Sequence, residues 1–357
     1  MDGTYMSIAQ TTTLIAALPQ PVLIVDHEGF VHTANPAARD LFGARIDGAQ
    51  IRAHLRQPEV AAMLEQVLGG DEAGSACFVM SHSSHETVWR VIARHAAPDM
   101  VVLSLTDISD IESAEAQRRD FVANVSHELR SPLTVLAGFI ETLRGPAGED
   151  PAARAEFLSI MAEEAERMAG LVADLLSLSR VESVEKIRPR TPVSIDMVLK
   201  ATLAALRPQI EAAGIEIDYK VPESLPDIPG DYDQLVQVFH NLIENGLKYG
   251  NAGGRLEIVA QPPCAMPGFE TDVLRVSIRD FGEGIDPIQI PRLTERFYRV
   301  DKARSRESGG TGLGLAIVKH ILNRHRGRLV IRSFPGAGAC FDALLPCCAT
   351  VEKGHSS

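Results

Sequence analysis

Apolar and polar positions change period twice along this chain, and each change marks a new kind of element. The run from Val22 to Val25 reads as a strand, His27-Glu28-Gly29 as a turn, and Asn35-Pro36, after a second strand, as a helix start. A helix is predicted from Glu59 to Leu68, followed by strands at 76–82, 88–96 and 100–108. Two strands, short helices and three strands predict a small α+β domain over residues 13–110, behind an N-terminal tail, 1–12.

From Ile111 the period becomes helical. Val122, Val125, Leu129, Leu133, Leu136, Ile140 and Leu143 recur at steps of three and four, and GPAGEDP breaks the pattern. A second helix over 152–181 carries Phe157, Met161, Met168, Leu171, Leu175 and Leu178 in the same way. Two long helices joined by a short turn predict an antiparallel hairpin, 111–185, whose apolar stripe one chain only half satisfies. A four-helix bundle made by two copies, hence a homodimer, is the expected remedy. Residues 190–348 then mix periods: helix 195–213, strand 215–221, helix 231–249, strands 255–261 and 274–280, helix 314–325 and strands 328–333 and 340–346. That order predicts an α/β sandwich of ordinary domain size, with PPCAMPGFE as a surface hairpin loop and 349–357 as a C-terminal tail. The fold class is α+β multidomain.

Composition narrows the setting more than the function. With 357 residues, 45% apolar and 23% charged, the chain has the usage of soluble globular domains. Its net charge of −12 argues against a nucleic-acid-wrapping surface. Cys77, Cys264, Cys340, Cys347 and Cys348 form no C-x-x-C pair and fit a reducing compartment. The longest early apolar run, from Leu14 to Val25, is cut by Pro19, Gln20 and Pro21, well short of a membrane span of about 20 residues. If the chain is a whole gene product, these features predict no membrane span and a cytoplasmic location.

Candidate chemistry begins with FVANVSHELRSPLT. His127 lies two residues from both Val125 and Leu129, about 200° around the helix from each, so it should face solvent. An imidazole with its ordinary pKa near 6.5 is largely neutral at cytosolic pH and holds a lone pair able to attack phosphorus. Glu128 beside it can bond the other ring N–H and accept the proton. Pro132 removes a helix hydrogen bond within two turns of the histidine and predicts a bend there. By itself His127 could be one surface histidine among eleven.

The spelling His127-Glu128-Leu129-Arg130-Ser131-Pro132-Leu133-Thr134 resembles the H-box of sensor histidine kinases. The resemblance implies that His127 is the phosphoacceptor and that Glu128 assists its deprotonation. Ser131 stands where many members carry threonine or asparagine, the residue that positions water for dephosphorylating the partner. The domain at 13–110, closed by LTDIS, resembles a PAS domain.

Four further boxes follow in the order that family keeps. Asn241 and Asn245 share a helix face, with Lys248 and Tyr249 a turn along; amide oxygens are hard neutral ligands for magnesium, and the lysine supplies charge toward phosphates. HNLIENGLKYG resembles the N-box, which implies Asn245 as metal ligand, Asn241 as holder of bound water, and Lys248 and Tyr249 at the nucleotide's border. A solvated asparagine pair is the bland alternative. Asp280, Gly282 and Gly284 end a strand as D-x-G-x-G; such a carboxylate can accept from an adenine amino group while the glycines let backbone approach the base. Thr294-Glu295-Arg296-Phe297-Tyr298-Arg299 resembles the F-box of the lid, which implies that Arg296 and Arg299 touch phosphates or the histidine helix.

The loop Gly309-Gly310-Thr311-Gly312-Leu313-Gly314 precedes a helix, as loops that offer N–H groups to phosphates do. Leu315 stands where a Walker motif needs lysine, and no acidic residue follows with dinucleotide-site spacing. Together the boxes resemble kinases built of a dimerisation hairpin and a Bergerat-type ATP domain, over residues 111–346. HELRSPLTVLAGFIETLR behind a PAS-like domain is most similar to the phosphate-regulon sensor kinases. The resemblance implies ATP and Mg2+ as cofactors and a response-regulator receiver domain as partner. Two other readings stand beside it at this point. One is an inactive module that sequesters a regulator. The other is a Bergerat-fold ATPase, in which a water-activating glutamate would occupy the place of Asn241.

Overall fold

The computed structural model describes residues 8–82, 85–97, 99–145, 148–184, 188–250, 253–300 and 310–347, and divides into two compact units that meet at Ala123 and Asn124. Gly309 of the glycine loop and most of both tails lie outside the described residues.

In the first unit, helix α1 (Ile8–Ala16) precedes β1 (Val22–Asp26), β2 (Val31–Ala34), α2 (Pro36–Phe42), α3 (Pro58–Leu68), β3 (Ala73–His82), β4 (His85–Ala97) and β5 (Met100–Asp107). The strands form one antiparallel sheet in the order β2-β1-β5-β4-β3, so the first hairpin is inserted beside the last strand. Leu23, Val25, Val91, Leu103 and Leu105 pack with Val60, Leu64 and Val67 of α3, while Val22 and Ile24 meet Ile15 of α1. The sequence predicts no helix at 8–16, because the Thr11-Thr12-Thr13 run is poor in helix propensity.

Buried Asn35 ties that helix down. Its Oδ1 accepts from Val22 N and Ala38 N, the latter capping α2, and its Nδ2 donates to the carbonyls of Ile15, Leu18 and Gln20 at 2.8–3.2 Å.

The hairpin consists of α4 (Ser109–Arg144) and α5 (Pro151–Val184), joined near their shared end by the Phe139–Phe157 ring pair at 5.1 Å. Helix α4 runs through Pro132 without a break. Val125, Leu129, Leu136 and Leu143 of the predicted stripe are half-buried, whereas Val122, Leu133 and Ile140 are exposed.

The remaining residues fold as a helical layer on a mixed sheet. Short strands β6 (Thr191–Val193) and β8 (Ile228–Gly230) pair with each other. The main sheet runs β11-β12-β10-β9-β7, where β7 is Glu216–Lys220, β9 Arg255–Cys264, β10 Val273–Asp280, β11 Arg328–Ser333 and β12 Ala339–Pro346. All its pairs are antiparallel except β7 with β9. Helices α6 (Ile195–Ala213), α7 (Tyr232–Tyr249) and α8 (Gly314–Arg324) cover one face. Helix α7 alone buries Leu235, Val238, Phe239, Leu242, Ile243, Gly246 and Leu247.

Ser194 and Asp231 cap α6 and α7, and Gly214 ends α6 in the left-handed region. His325 at the end of α8 is buried; Nδ1 faces the Ile321 carbonyl at 2.8 Å, and Nε2 accepts from Asp231 N at 3.0 Å, so one neutral tautomer links α8 to the cap of α7. Strand β9 extends through Pro262 and Pro263, which the sequence places in a loop. Among the described residues its far side is unpaired beyond Val259, where β7 stops, so prolines cost no ladder bond there. No helix among the described residues is long and apolar enough to cross a membrane.

Candidate active site

His127 is exposed on α4, as its angular position predicts. Ser131, one turn on, is exposed too, while Pro132 is buried. Glu128 does not spend its carboxylate on the neighbouring ring in this arrangement: Oε2 lies 3.7 Å from Nη2 of Arg167 on α5, whose Nη1 is 3.6 Å from Glu164. Glu128, Pro132, Arg167, Met168, Leu171 and Thr311 line one small cavity. The glycine loop thus reaches the turn of α4 that carries the histidine, because α5 also packs against α8, the helix that this loop opens.

The nucleotide boxes converge from separate elements. An added Cβ on Gly314 would lie 3.1 Å from Asn241 Oδ1, and one on Gly310 would lie 3.0 Å from the Tyr249 hydroxyl, so the loop sits directly against the N-box helix α7. Gly312 (φ +71°) could take a Cβ only by meeting Cα of Phe297 at 2.9 Å, and its carbonyl accepts from Phe297 N at 2.9 Å. Phe297 itself has φ +64°, a left-handed backbone that side chains of its size rarely adopt, so the lid is strained where it touches the loop. Of the two lid arginines, Arg299 lies against Gly312, its Cγ 3.3 Å from that built Cβ, and Arg296 is half-buried nearby in sequence.

Asp280 is buried at the end of β10. Its Oδ1 accepts from Gly282 N at 3.0 Å and Ala339 N at 3.1 Å. Burial pushes its carboxyl up, and the backbone donors oppose that shift. Glycines crowd it: a Cβ on Gly250 would run into Asp280 Cβ, one on Gly282 would meet the Tyr249 carbonyl at 2.6 Å, and Gly338 is left-handed with the Asp280 carbonyl against it. Backbone therefore closes on the carboxylate from three sides. Gly250 closes the N-box spelling HNLIENGLKYG, whereas Gly338 adjoins no recognised box and carries no signal in the sequence.

Asn245 is half-buried one turn beyond Asn241. Lys248 pairs with Glu244 at 3.0 Å within α7. Among the described residues no three His, Cys, Asp or Glu side chains gather as a metal site. A donor set of one amide, water and substrate phosphates, as hard magnesium accepts, fits the residues that are present.

The hairpin contributes a residue that the boxes do not include. Asp174 of α5 accepts from the Thr311 hydroxyl at 2.7 Å, and Thr311 Oγ1 in turn accepts from Leu313 N at 3.3 Å. Burial raises the Asp174 carboxyl, the Thr311 bond lowers it, and Glu244 raises it again. Nearby, Ser177 and Gln237 of α7 bond at 2.7–2.9 Å, and Leu171 and Leu178 are buried. Asp174 stands three residues after Leu171 and four before Leu178, so an acid embedded in an apolar stripe was its one sequence signal.

Comparisons with known proteins agree with this geometry. Residues 230–348 match the family of histidine kinase-, DNA gyrase B- and HSP90-like ATPases, residues 117–184 the His Kinase A (phospho-acceptor) domain, and residues 9–70 a PAS domain. The phosphate regulon sensor protein PhoR of Pseudomonas aeruginosa is 35% identical over 333 residues, 91% of this chain and 72% of that protein. The sensor protein kinase WalK of Staphylococcus aureus is 38% identical over 251 residues, 70% of this chain and 58% of that protein. A crystal structure of histidine kinase ThkA with response regulator protein TrrA shares the fold at 19% identity and TM-score 0.50, over 94% of this chain and 97% of that one. Its exposed H-box histidine, its converging nucleotide loops and these relatives place the chain in one family: it belongs to the sensor histidine kinases.

Proposed function

We propose that His127 is the residue this kinase phosphorylates, and that the phosphoryl group then passes to an aspartate on a response-regulator receiver domain. The observation that carries this reading is the cavity in which Thr311 of the glycine loop meets Glu128, the neighbour of exposed His127. Adenine lies against Asp280, with Gly282 and Gly284 admitting it; Gly310, Thr311, Gly312, Leu313 and Gly314 hold the phosphates, bordered by Asn241, Lys248 and Tyr249. Magnesium, when bound at Asn245, supplies neutralising charge to those phosphates.

A neutral ring nitrogen of His127 attacks the γ-phosphorus in line, the bond to the bridging oxygen breaks, and ADP leaves with that electron pair. Glu128, released from Arg167, takes the proton that the ring loses. Ser131, exposed one turn further along α4, positions water for dephosphorylating the receiver domain, with the phosphoryl group passing from its aspartate to that water. The exposed residues Leu133, Ile140, Leu158 and Leu176 support a four-helix bundle formed with a second copy. The named complex of ThkA with TrrA supports the receiver partner, and identity to PhoR along most of the chain supports a role in phosphate limitation.

Incubation with γ-labelled ATP should give label that is stable in alkali and lost in acid, and His127→Ala should remove it. Label persisting in that variant refutes the assignment, and free phosphate without labelled protein would identify an ATPase instead.

A further inference from the structure

Thr311 has one hydroxyl hydrogen, and in this structure it goes to the Asp174 carboxylate. A phosphate oxygen is an acceptor of the same kind, so Thr311 cannot donate to Asp174 and to a terminal phosphate at once. The conflict is electrostatic as well. Asp174 lies close enough to α7 to feel Glu244, Lys248 and His240, and Lys248 is already engaged by Glu244. A polyphosphate entering between the loop and α7 would therefore meet a carboxylate that the Lys248 charge, shared with Glu244, only partly offsets.

The dock between hairpin and domain does not depend on Asp174 alone, since Ser177 bonds Gln237 and Leu171 and Leu178 are buried on the same face of α5.

We propose that Asp174 is a positioning residue for the kinase reaction: its carboxylate occupies the Thr311 hydroxyl that a terminal phosphate needs, so ATP binds only by displacing it. The inference rests on the reading that residues 310–314 hold phosphates. It adds a hairpin residue that sets nucleotide affinity, and it makes filling of the phosphate loop and release of this contact a single event. An acid at this point lowers affinity for ATP and ADP, whose phosphates reach the loop, and leaves adenosine untouched.

The test uses the full chain and measures ATP, ADP and adenosine binding by calorimetry, together with KM and kcat for autophosphorylation. Asp174→Ala frees the Thr311 hydroxyl and removes the charge. It should tighten ATP roughly tenfold and lower KM to match, with kcat changed far less and adenosine affinity unchanged. Ser177→Ala loosens the dock and leaves the charge; its ATP affinity should stay within about twofold of the wild type. A wild-type chain that binds ATP while Asp174→Ala binds it no better overturns the role of Asp174 and spares the phosphate-loop reading. Equal tightening of ATP and adenosine, or equal gains in both variants, overturns it too, because those results describe loosening rather than charge. A wild type that binds no nucleotide overturns the phosphate-loop reading and this inference together.

Discussion

Helices α4 and α7 treat their apolar residues in opposite ways. Among the described residues of α4, thirty-six long, only Pro132 is buried, whereas α7 buries seven of its eighteen. Helix α7 lies between α6, α8 and β10, so its stripe is closed within one chain. Helix α4 leaves Val122, Leu133 and Ile140 more than 45% exposed. Burying such side chains contributes about 1.5–3 kcal/mol each, so a stripe left open is an unmet part of the folding free energy. The ATP domain thus closes the stripe of α7 within one chain, while the hairpin leaves part of its own open, as the proposed four-helix bundle requires. A kinase assembled this way can hold its nucleotide site rigid and let the phosphoacceptor helices answer to a partner copy or an input domain.

Substitutions can break this comparison at either end. The largest effect is expected from Phe239→Ala in α7: loss of a fully buried ring should cost about 3–5 kcal/mol, read as a shift in denaturant midpoint of the ATP-domain transition. A cost near zero would mean that the domain core is not where α7 places it. Next, Leu133→Glu with Leu176→Glu puts two charges on exposed hairpin positions, 58% and 56% accessible in one chain. Helix content should be unchanged, and the dimer should weaken by roughly 2–4 kcal/mol in sedimentation equilibrium. A double variant that dimerises like the wild type would remove the bundle from the account.

The smallest effect sharpens the comparison through pH. Burial holds the His325 imidazole below its ordinary pKa, so the folded domain favours the neutral ring that accepts from Asp231 N. Its contribution is complete above the unfolded value of about 6.5 and is lost as pH falls through that value toward the folded one. The ATP domain should lose a few degrees of melting temperature on acidification from neutrality. His325→Asn should melt lower at neutral pH but show a flatter acid slope, and an equal slope would show that another group titrates.

Much of the molecule was legible because function and period leave local marks. The long helices follow from their three-and-four spacing, and the side-by-side placement of Asn241, Gly314, Tyr249 and Gly310 follows from boxes whose residue types already pointed to one site. What stayed hidden depends on pairing across the chain. Strands β6 and β8 are three residues each, too short to show a period, and carry Pro192 and Pro229. Helix α1 is held by Asn35, nearly twenty residues on, rather than by its own propensity. The contact of Glu128 with Arg167 comes from α5 and leaves no mark in the spelling of the H-box. Likewise Asp174 and Thr311 meet across 137 residues of sequence, and no spacing rule joins them.

The central claim concerns one nitrogen on one side chain, and fragmentation mass spectrometry reaches it most directly. After incubation with magnesium and ATP, digestion at alkaline pH and gentle backbone cleavage should leave the added phosphate on His127, within the peptide that carries Glu128 and Leu129. A phosphate mapped to any other residue of the hairpin, or no modified peptide despite ATP consumption, contradicts the account.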